Sequence, residues 1–104
     1  MMEILYDLLL TVKKRPKLYF RKLSLKHLHV FINGCIACMN HLECDKNHEF
    51  YPGFQEFIQR KYNVNFPKHW SSIIEFYCFD EEKAFYKFFD LLDEFIEESR
   101  RSLE

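Results

Sequence analysis

Apolar residues recur at intervals of three and four positions along almost the whole chain, which is the periodicity of amphipathic α-helices. The clearest stripes are Ile4-Leu5-Leu8-Leu9-Val12 near the start and Ala84-Phe85-Phe88-Phe89-Leu92-Phe95-Ile96 near the end. The pattern predicts five helices, over residues 2–14, 24–43, 53–63, 68–78 and 80–99. Residues 73–79 also fit a second interpretation, a short buried strand. We therefore expect an all-α domain of about five helices, with the aromatic stripe of the last helix at the centre of its core.

The predicted helix ends coincide with residues that cap or interrupt helices. Proline disfavours the α conformation in the residue before it, so Arg15-Pro16 should end the first helix. Ser24 and Asp80 can accept hydrogen bonds from free amides, so they should begin the second and fifth helices. Gly34 lies inside the second helix, where glycine costs about 1 kcal/mol relative to alanine. We expect it to be kept there because another helix packs closely against it.

Composition limits the number of domains and the classes of function. The chain has 104 residues, 18% of them aromatic, with two glycines and three prolines. This excludes a disordered chain and disfavours a β-sandwich or barrel, and it predicts a single domain over residues 1–104. Nucleotide sites built on glycine-rich loops are excluded because Gly34 and Gly53 are isolated. The sequence shows no signal peptide or membrane-spanning run, so we expect a cytoplasmic protein with reduced cysteines.

The net charge of −1 hides a separation of charge along the chain. Residues 1–30 carry seven bases and two acids, whereas residues 75–104 carry ten acids and four bases. Acids lie along the polar side of the last helix. Asp93 and Glu94 follow Asp90 at i+3 and i+4, so all three are neighbours on the helix surface. Such like-charge neighbours are mildly destabilising. The acidic helix therefore suggests a charged partner.

The cysteines and histidines contain the right residue types for a metal site. Cys35, Cys38, His41 and Cys44 recur every three residues, with His48 downstream. Zinc needs four ligands that converge tetrahedrally. Steps of three rotate around a helix, so Cys35 and Cys44 would point to opposite sides. We expect no metal and no cofactor, and a nucleophilic site built from Cys44 and the neighbouring His48 and Asp45 has equally little support.

The basic segment, residues 13–26, is a candidate for binding nucleic acid. It carries seven cations and two aromatic residues, Tyr19 and Phe20, that could stack on bases. The overall pI of about 6.5 and the acidic C-terminal helix oppose this interpretation. The alternative is a basic surface that neutralises the acidic helix, within one chain or between chains.

A set of anchors along the chain resembles a known family. The anchors are Arg15-Pro16-Lys17-Leu18-Tyr19, Ser24-Leu25, Leu28, Phe31, Gly34, Gly53-Phe54-Gln55-Glu56-Phe57-Ile58, Lys61-Tyr62, Trp70, Ile73-Ile74, Asp80-Glu81-Glu82, Ala84-Phe85 and Phe88-Phe89-Asp90-Leu91-Leu92-Asp93-Glu94-Phe95. They resemble immunity proteins of contact-dependent growth inhibition systems, small bacterial proteins found beside polymorphic toxins, and the resemblance covers about residues 10–96. The resemblance implies a non-enzymatic cytoplasmic protein that binds and neutralises one cognate toxin domain.

Many such toxins are nucleases, which are basic where they meet phosphate. An acidic helix face could occupy that surface and accelerate association by electrostatic steering. The residues we expect to bind the toxin are the helix acids Asp90, Asp93, Glu94 and Glu97 and the aromatic anchor Tyr86, with the acidic loop residues Glu43, Asp45 and Glu49 as a second candidate. The alternative for each of these residues is a place on a solvated surface without a partner. The alternative function is a small nucleic-acid-binding or regulatory protein that uses the basic segment.

Overall fold

The computed structural model describes residues 3–42 and 50–102, and this part of the chain is an all-α domain of five helices without strands. The helices are α1 (Glu3–Lys14), α2 (Leu25–Leu42), α3 (Phe50–Lys61), α4 (Trp70–Tyr77) and α5 (Glu81–Ser102). A short 3₁₀ helix (Pro16–Leu18) follows α1. The predicted all-α class is confirmed. The strand interpretation of residues 73–79 is wrong, because α4 occupies most of that segment.

The predicted caps are present at two helices. The backbone N–H of Lys26 donates to Ser24 Oγ at 3.3 Å, and those of Glu82 and Lys83 donate to Asp80 Oδ1 at 2.8 and 3.1 Å. At the end of α3, Asn63 adopts a left-handed backbone conformation (φ 56°), which asparagine tolerates better than most residues. These local preferences set the helix ends close to where the sequence placed them.

Helix α5 lies at the centre of the core, and α2, α3 and α4 all pack against it. Aromatic rings from three helices meet at Phe54, which makes edge-on contacts with Trp70, Phe88 and Phe95 at centroid distances of 5.2–5.5 Å. Leu91, which the pattern placed at the margin of the apolar stripe, is fully buried. The buried face of α5 is therefore wider than the stripe alone predicted.

The expectation for Gly34 is wrong, because nothing lies within 4 Å of the position that a Cβ would occupy there. The close approach occurs at the other glycine. A Cβ at Gly53 would lie 3.1 Å from Cζ of Phe95, so the absence of a side chain lets α3 approach the ring of α5. Gly34 instead lies on the solvent-exposed side of α2.

Candidate protein-binding surface

Four of the acidic residues predicted to bind a partner lie on the exposed side of α5, and three of these four pair with cations of the same chain. Lys61 Nζ lies 2.5 Å from Glu94 Oε1, and Arg101 Nε lies 3.7 Å from Glu97 Oε1. The adjacent Glu98 accepts from Arg60 Nη2 at 2.8 Å. These pairs line a cleft of about 460 Å³ between α3 and α5. The charges of Glu94 and Glu97 are thus partly offset before any partner arrives.

Asp93 links α5 to the N-terminal helix. Tyr6 Oη donates to Asp93 Oδ1 at 3.3 Å, and Lys13 Nζ lies 3.9 Å from Asp93 Oδ2. Burial raises the pKa of Tyr6, and the adjacent Asp93 carboxylate raises it further. By contrast, Asp90 forms no ion pair with any residue that the structure describes. Among the described residues, therefore, Asp90 is the only one of the four predicted α5 acids whose charge no cation offsets.

The fold brings the basic and acidic ends of the chain together. Besides the contact between Lys13 and Asp93, Lys22 Nζ lies 2.9 Å from Glu81 Oε2. The hydrogen bond with Lys22 and its positive charge lower the pKa of Glu81, and the same pair raises the pKa of Lys22. The folded chain therefore partly cancels the charge separation seen along the sequence. This agrees with the alternative interpretation, in which the basic segment neutralises the acidic helix.

The two aromatic residues of the basic segment pack against the domain. Phe20 makes edge-on contacts with Phe31 and Phe85 at 5.5 and 5.8 Å between centroids. Tyr19 contacts Phe31 at 6.1 Å. A ring held in this way offers less face to a base than a free aromatic side chain, so the packing weakens the case for base stacking.

Three exposed aromatic residues lie at the C-terminal end of α4 and just after it, where we predicted no site from the sequence. Phe76, Tyr77 and Phe79 are 66%, 50% and 101% exposed. The rings of Phe76 and Tyr77 are 5.1 Å apart, and Tyr77 stacks on Tyr62, the residue directly after α3, at 4.7 Å. We call these four residues the aromatic surface. Tyr77 continues the helical spacing of the buried Trp70, Ile73 and Ile74, yet it is half exposed because it lies in the last turn of α4, at the edge of the core.

Tyr86 lies beside the aromatic surface, in a groove of about 400 Å³. It is 42% exposed, and its ring contacts that of Phe85 edge-on at 5.3 Å. The groove is also lined by Cys78, Glu82, Lys83, Lys87 and Asp90. The predicted anchor is therefore accessible and held in place by the core beneath it.

Glu43, Asp45 and Glu49 lie outside the described residues, as do Cys44 and His48. Burial raises the pKa of the half-buried Cys35 thiol, whereas Cys38, one turn along α2, is exposed. Within the described residues no group of three or more His, Cys, Asp or Glu side chains is arranged to hold a metal ion.

Comparison with known proteins finds no matching family model, no similar curated protein and no similar solved structure. The resemblance to immunity proteins therefore stays a prediction. No helix in the described part of the chain is both long and apolar enough to cross a membrane.

Proposed function

We propose that this protein is a non-catalytic binding domain that neutralises a cognate toxin domain in the cytoplasm by covering its active or substrate-binding surface. Two observations support the proposal. The anchors along residues 10–96 resemble the immunity proteins of contact-dependent growth inhibition systems. The aromatic surface at the end of α4 gives the domain a place at which to bind another protein. The second observation carries the proposal, because it comes from the geometry alone.

Exposed aromatic side chains in a cluster favour binding to a protein. Phe, Tyr and Trp are enriched in protein interfaces, and a few such residues supply most of the binding energy. Complete burial of one large apolar side chain is worth about 1.5–3 kcal/mol. Tyr77 is already ordered by its stacking on Tyr62, so little further side-chain freedom is lost when a partner covers it. Phe79, which is fully exposed, has the most surface to gain from such an interface.

The acids of α5 contribute less to this proposal than their spacing in the sequence suggested. Lys61 and Arg101 offset Glu94 and Glu97, so the steering field of the helix is weaker than its sequence implies. Exposed ion pairs of this kind are worth about 0–1 kcal/mol, so a basic toxin surface could replace the chain's own cations at small cost. We therefore place the toxin contact at the aromatic surface, with the acids at its edge.

The test is binding, measured by isothermal titration calorimetry, to a toxin domain encoded by a neighbouring gene, and absence of such a gene would itself count against the proposal. Phe76→Ser and Phe79→Ser should each weaken binding at least tenfold, which corresponds to about 1.4 kcal/mol. Val30→Ser is the matched control, because Val30 is an exposed apolar residue on α2. It should leave the dissociation constant within about twofold. Unchanged binding in both phenylalanine variants would exclude the aromatic surface, and absence of binding by the folded wild-type chain would refute the proposal.

A second candidate function rests on the basic segment. Lys14, Arg15, Lys17, Arg21 and Lys26 form no ion pair with any residue that the structure describes, and all five are exposed. Such a group of cations favours a nucleic acid or another polyanion. Retention on immobilised DNA and RNA at low salt, falling steeply as salt is added, is the expected result for this alternative. Absence of retention at low salt would eliminate it.

A further inference from the structure

One strip of α5 carries charges that the rest of the described chain does not neutralise. The α5 strip consists of Lys83, Tyr86, Lys87 and Asp90, which lie along the groove beside Cys78. Neither lysine nor Asp90 forms an ion pair with a described residue, whereas the next acids along the helix, Asp93, Glu94, Glu97 and Glu98, all do. The exposed Lys83 and Asp90, with the exposed Tyr86 and the partly buried Lys87 between them, are therefore available for intermolecular contacts.

The α5 strip has a positive charge at one end and a negative charge at the other, so two copies placed antiparallel bring opposite charges together. Residues three and four positions apart share a face of a helix, so the members of the strip point the same way. We propose that a second copy of this chain packs against the strip, with the two α5 helices antiparallel about a two-fold axis between Tyr86 and Lys87. Lys83 then faces the partner subunit's Asp90, and Asp90 faces the partner subunit's Lys83. Such a two-fold interface is isologous, so each favourable contact occurs twice.

The two central residues of the α5 strip, Tyr86 and Lys87, also form favourable contacts in this antiparallel dimer. Tyr86 faces the partner subunit's Lys87, which brings an ammonium group close to an aromatic ring, a favourable cation–π geometry. Other registers are penalised. An axis at Lys83 would place the two Lys83 side chains opposite each other, and an axis at Asp90 would oppose two carboxylates. Repulsion between like charges thus selects one register, as it does between helices in coiled coils.

A second copy is a better occupant of the strip than a partner of uniform charge. A purely acidic partner would meet Asp90, and a purely basic partner would meet Lys83 and Lys87. Two helices in contact over a few turns bury less than the roughly 1,200 Å² of a standard interface, so we expect a weak, concentration-dependent dimer. The strip shares no residue with the aromatic surface, but Tyr86 and Asp90 are also predicted toxin contacts, so variants of the aromatic surface are needed to separate the dimer from toxin binding.

Sedimentation equilibrium of the full chain tests the dimer, over a concentration range of about 10–500 μM. The wild type should show a reversible monomer–dimer equilibrium. Lys83→Asp and Asp90→Lys should each raise the dissociation constant at least tenfold, and the double variant should return to within about threefold of the wild type, because the charge pair is restored in reverse.

Two control variants make the same charge changes at exposed positions away from the strip. Lys17→Asp and Asp7→Lys should leave the equilibrium unchanged, and far-UV circular dichroism should show that every variant is folded. A wild-type chain that stays monomeric throughout the range overturns the proposal. So does a dimer that the single reversals leave intact, or a double variant that does not recover. Phe76→Ser and Phe79→Ser, which should weaken toxin binding, should leave the monomer–dimer equilibrium unchanged, and this separates the dimer from the proposed function.

Discussion

The N-terminus of α4 should be sensitive to mild acid, because a histidine caps it. Nδ1 of His69 accepts the backbone N–H of Ser71 at 3.2 Å, and Ser71 Oγ lies 2.9 Å from the same nitrogen. The His69 ring is also 4.1 Å from that of His29 on α2. Only a neutral imidazole can accept this bond, since both ring nitrogens of a protonated histidine are donors. Protonation would also place a positive charge at the positive end of the helix dipole.

The direction of the effect follows from the two pKa values. Burial lowers the pKa of His69, and the neighbouring His29 lowers it further. Burial also lowers the pKa of His29, against a smaller opposing effect of Glu75. The unfolded chain therefore binds more protons than the folded chain below the ordinary histidine value near 6.5. Stability should be complete above pH 6.5 and fall as the pH decreases through 6.5 towards the folded-state pKa values.

The size of the effect has two bounds. Loss of an N-cap costs about 0.5–2 kcal/mol. Each histidine contributes at most about 1.4 kcal/mol per pH unit to the slope of the free energy of unfolding. Both rings are partly exposed, so solvent screening reduces their contribution below that limit. The expected effect is thus a moderate loss of stability rather than complete unfolding near pH 6.

The assay is urea denaturation followed by far-UV circular dichroism, from pH 5 to pH 8. His69→Asn keeps a good capping acceptor and removes the titration, so we expect wild-type stability near neutral pH and a shallower decline in acid. His41→Asn is the matched control, because His41 is an exposed histidine near the end of α2. It should follow the wild-type curve. Parallel curves for wild type and His69→Asn over the whole range would refute the capping argument.

Three further predictions concern the stability of the fold, measured as the free energy of unfolding in urea. Gly34→Ala should stabilise the protein by about 0.5–1 kcal/mol, because helix propensity improves and the added methyl group meets nothing. Gly53→Ala should gain less or destabilise, because its methyl group lies against Phe95; an equal gain at both sites would contradict the packing at Gly53. Asp80→Ala should cost about 1 kcal/mol through loss of the α5 cap, whereas Asp80→Ser should cost less; equal losses would contradict the cap. Phe54→Ala should cost about 3–5 kcal/mol, because Phe54 is completely buried, and a loss below 1 kcal/mol would contradict its central place in the core.

The sequence predicted the helices well because local chemistry determines their ends. Ser24 and Asp80 cap as expected, and Asn63 ends α3 in a left-handed conformation. The failures concern contacts between helices. A glycine inside a helix indicates close packing only if another helix approaches it. The ring of Phe95 approaches Gly53, whereas nothing approaches Gly34. Which glycine is approached depends on how the helices are arranged in space, and no local pattern records that.

The candidate surface was predicted less completely than the fold. Spacing along α5 was enough to place Asp90, Asp93 and Tyr86 on the exposed side. The cations that offset Asp93 and Glu94 come from α1 and α3, so only the folded chain shows which acids keep an uncompensated charge. The aromatic surface was missed for a related reason. The sequence does not show which rings the core has room to bury, although three aromatic residues within positions 76–79 were a usable signal.

The central claim is that the chain binds a toxin domain through the aromatic surface. Hydrogen–deuterium exchange of the full chain, with and without a toxin domain from a neighbouring gene, tests this most directly. The account predicts slower exchange in the complex for peptides covering the end of α4 and the connection to α5, residues 74–82, with no change over the exposed side of α2 around Val30. Protection confined to other segments, or exchange that the toxin domain leaves unaltered throughout, would contradict it.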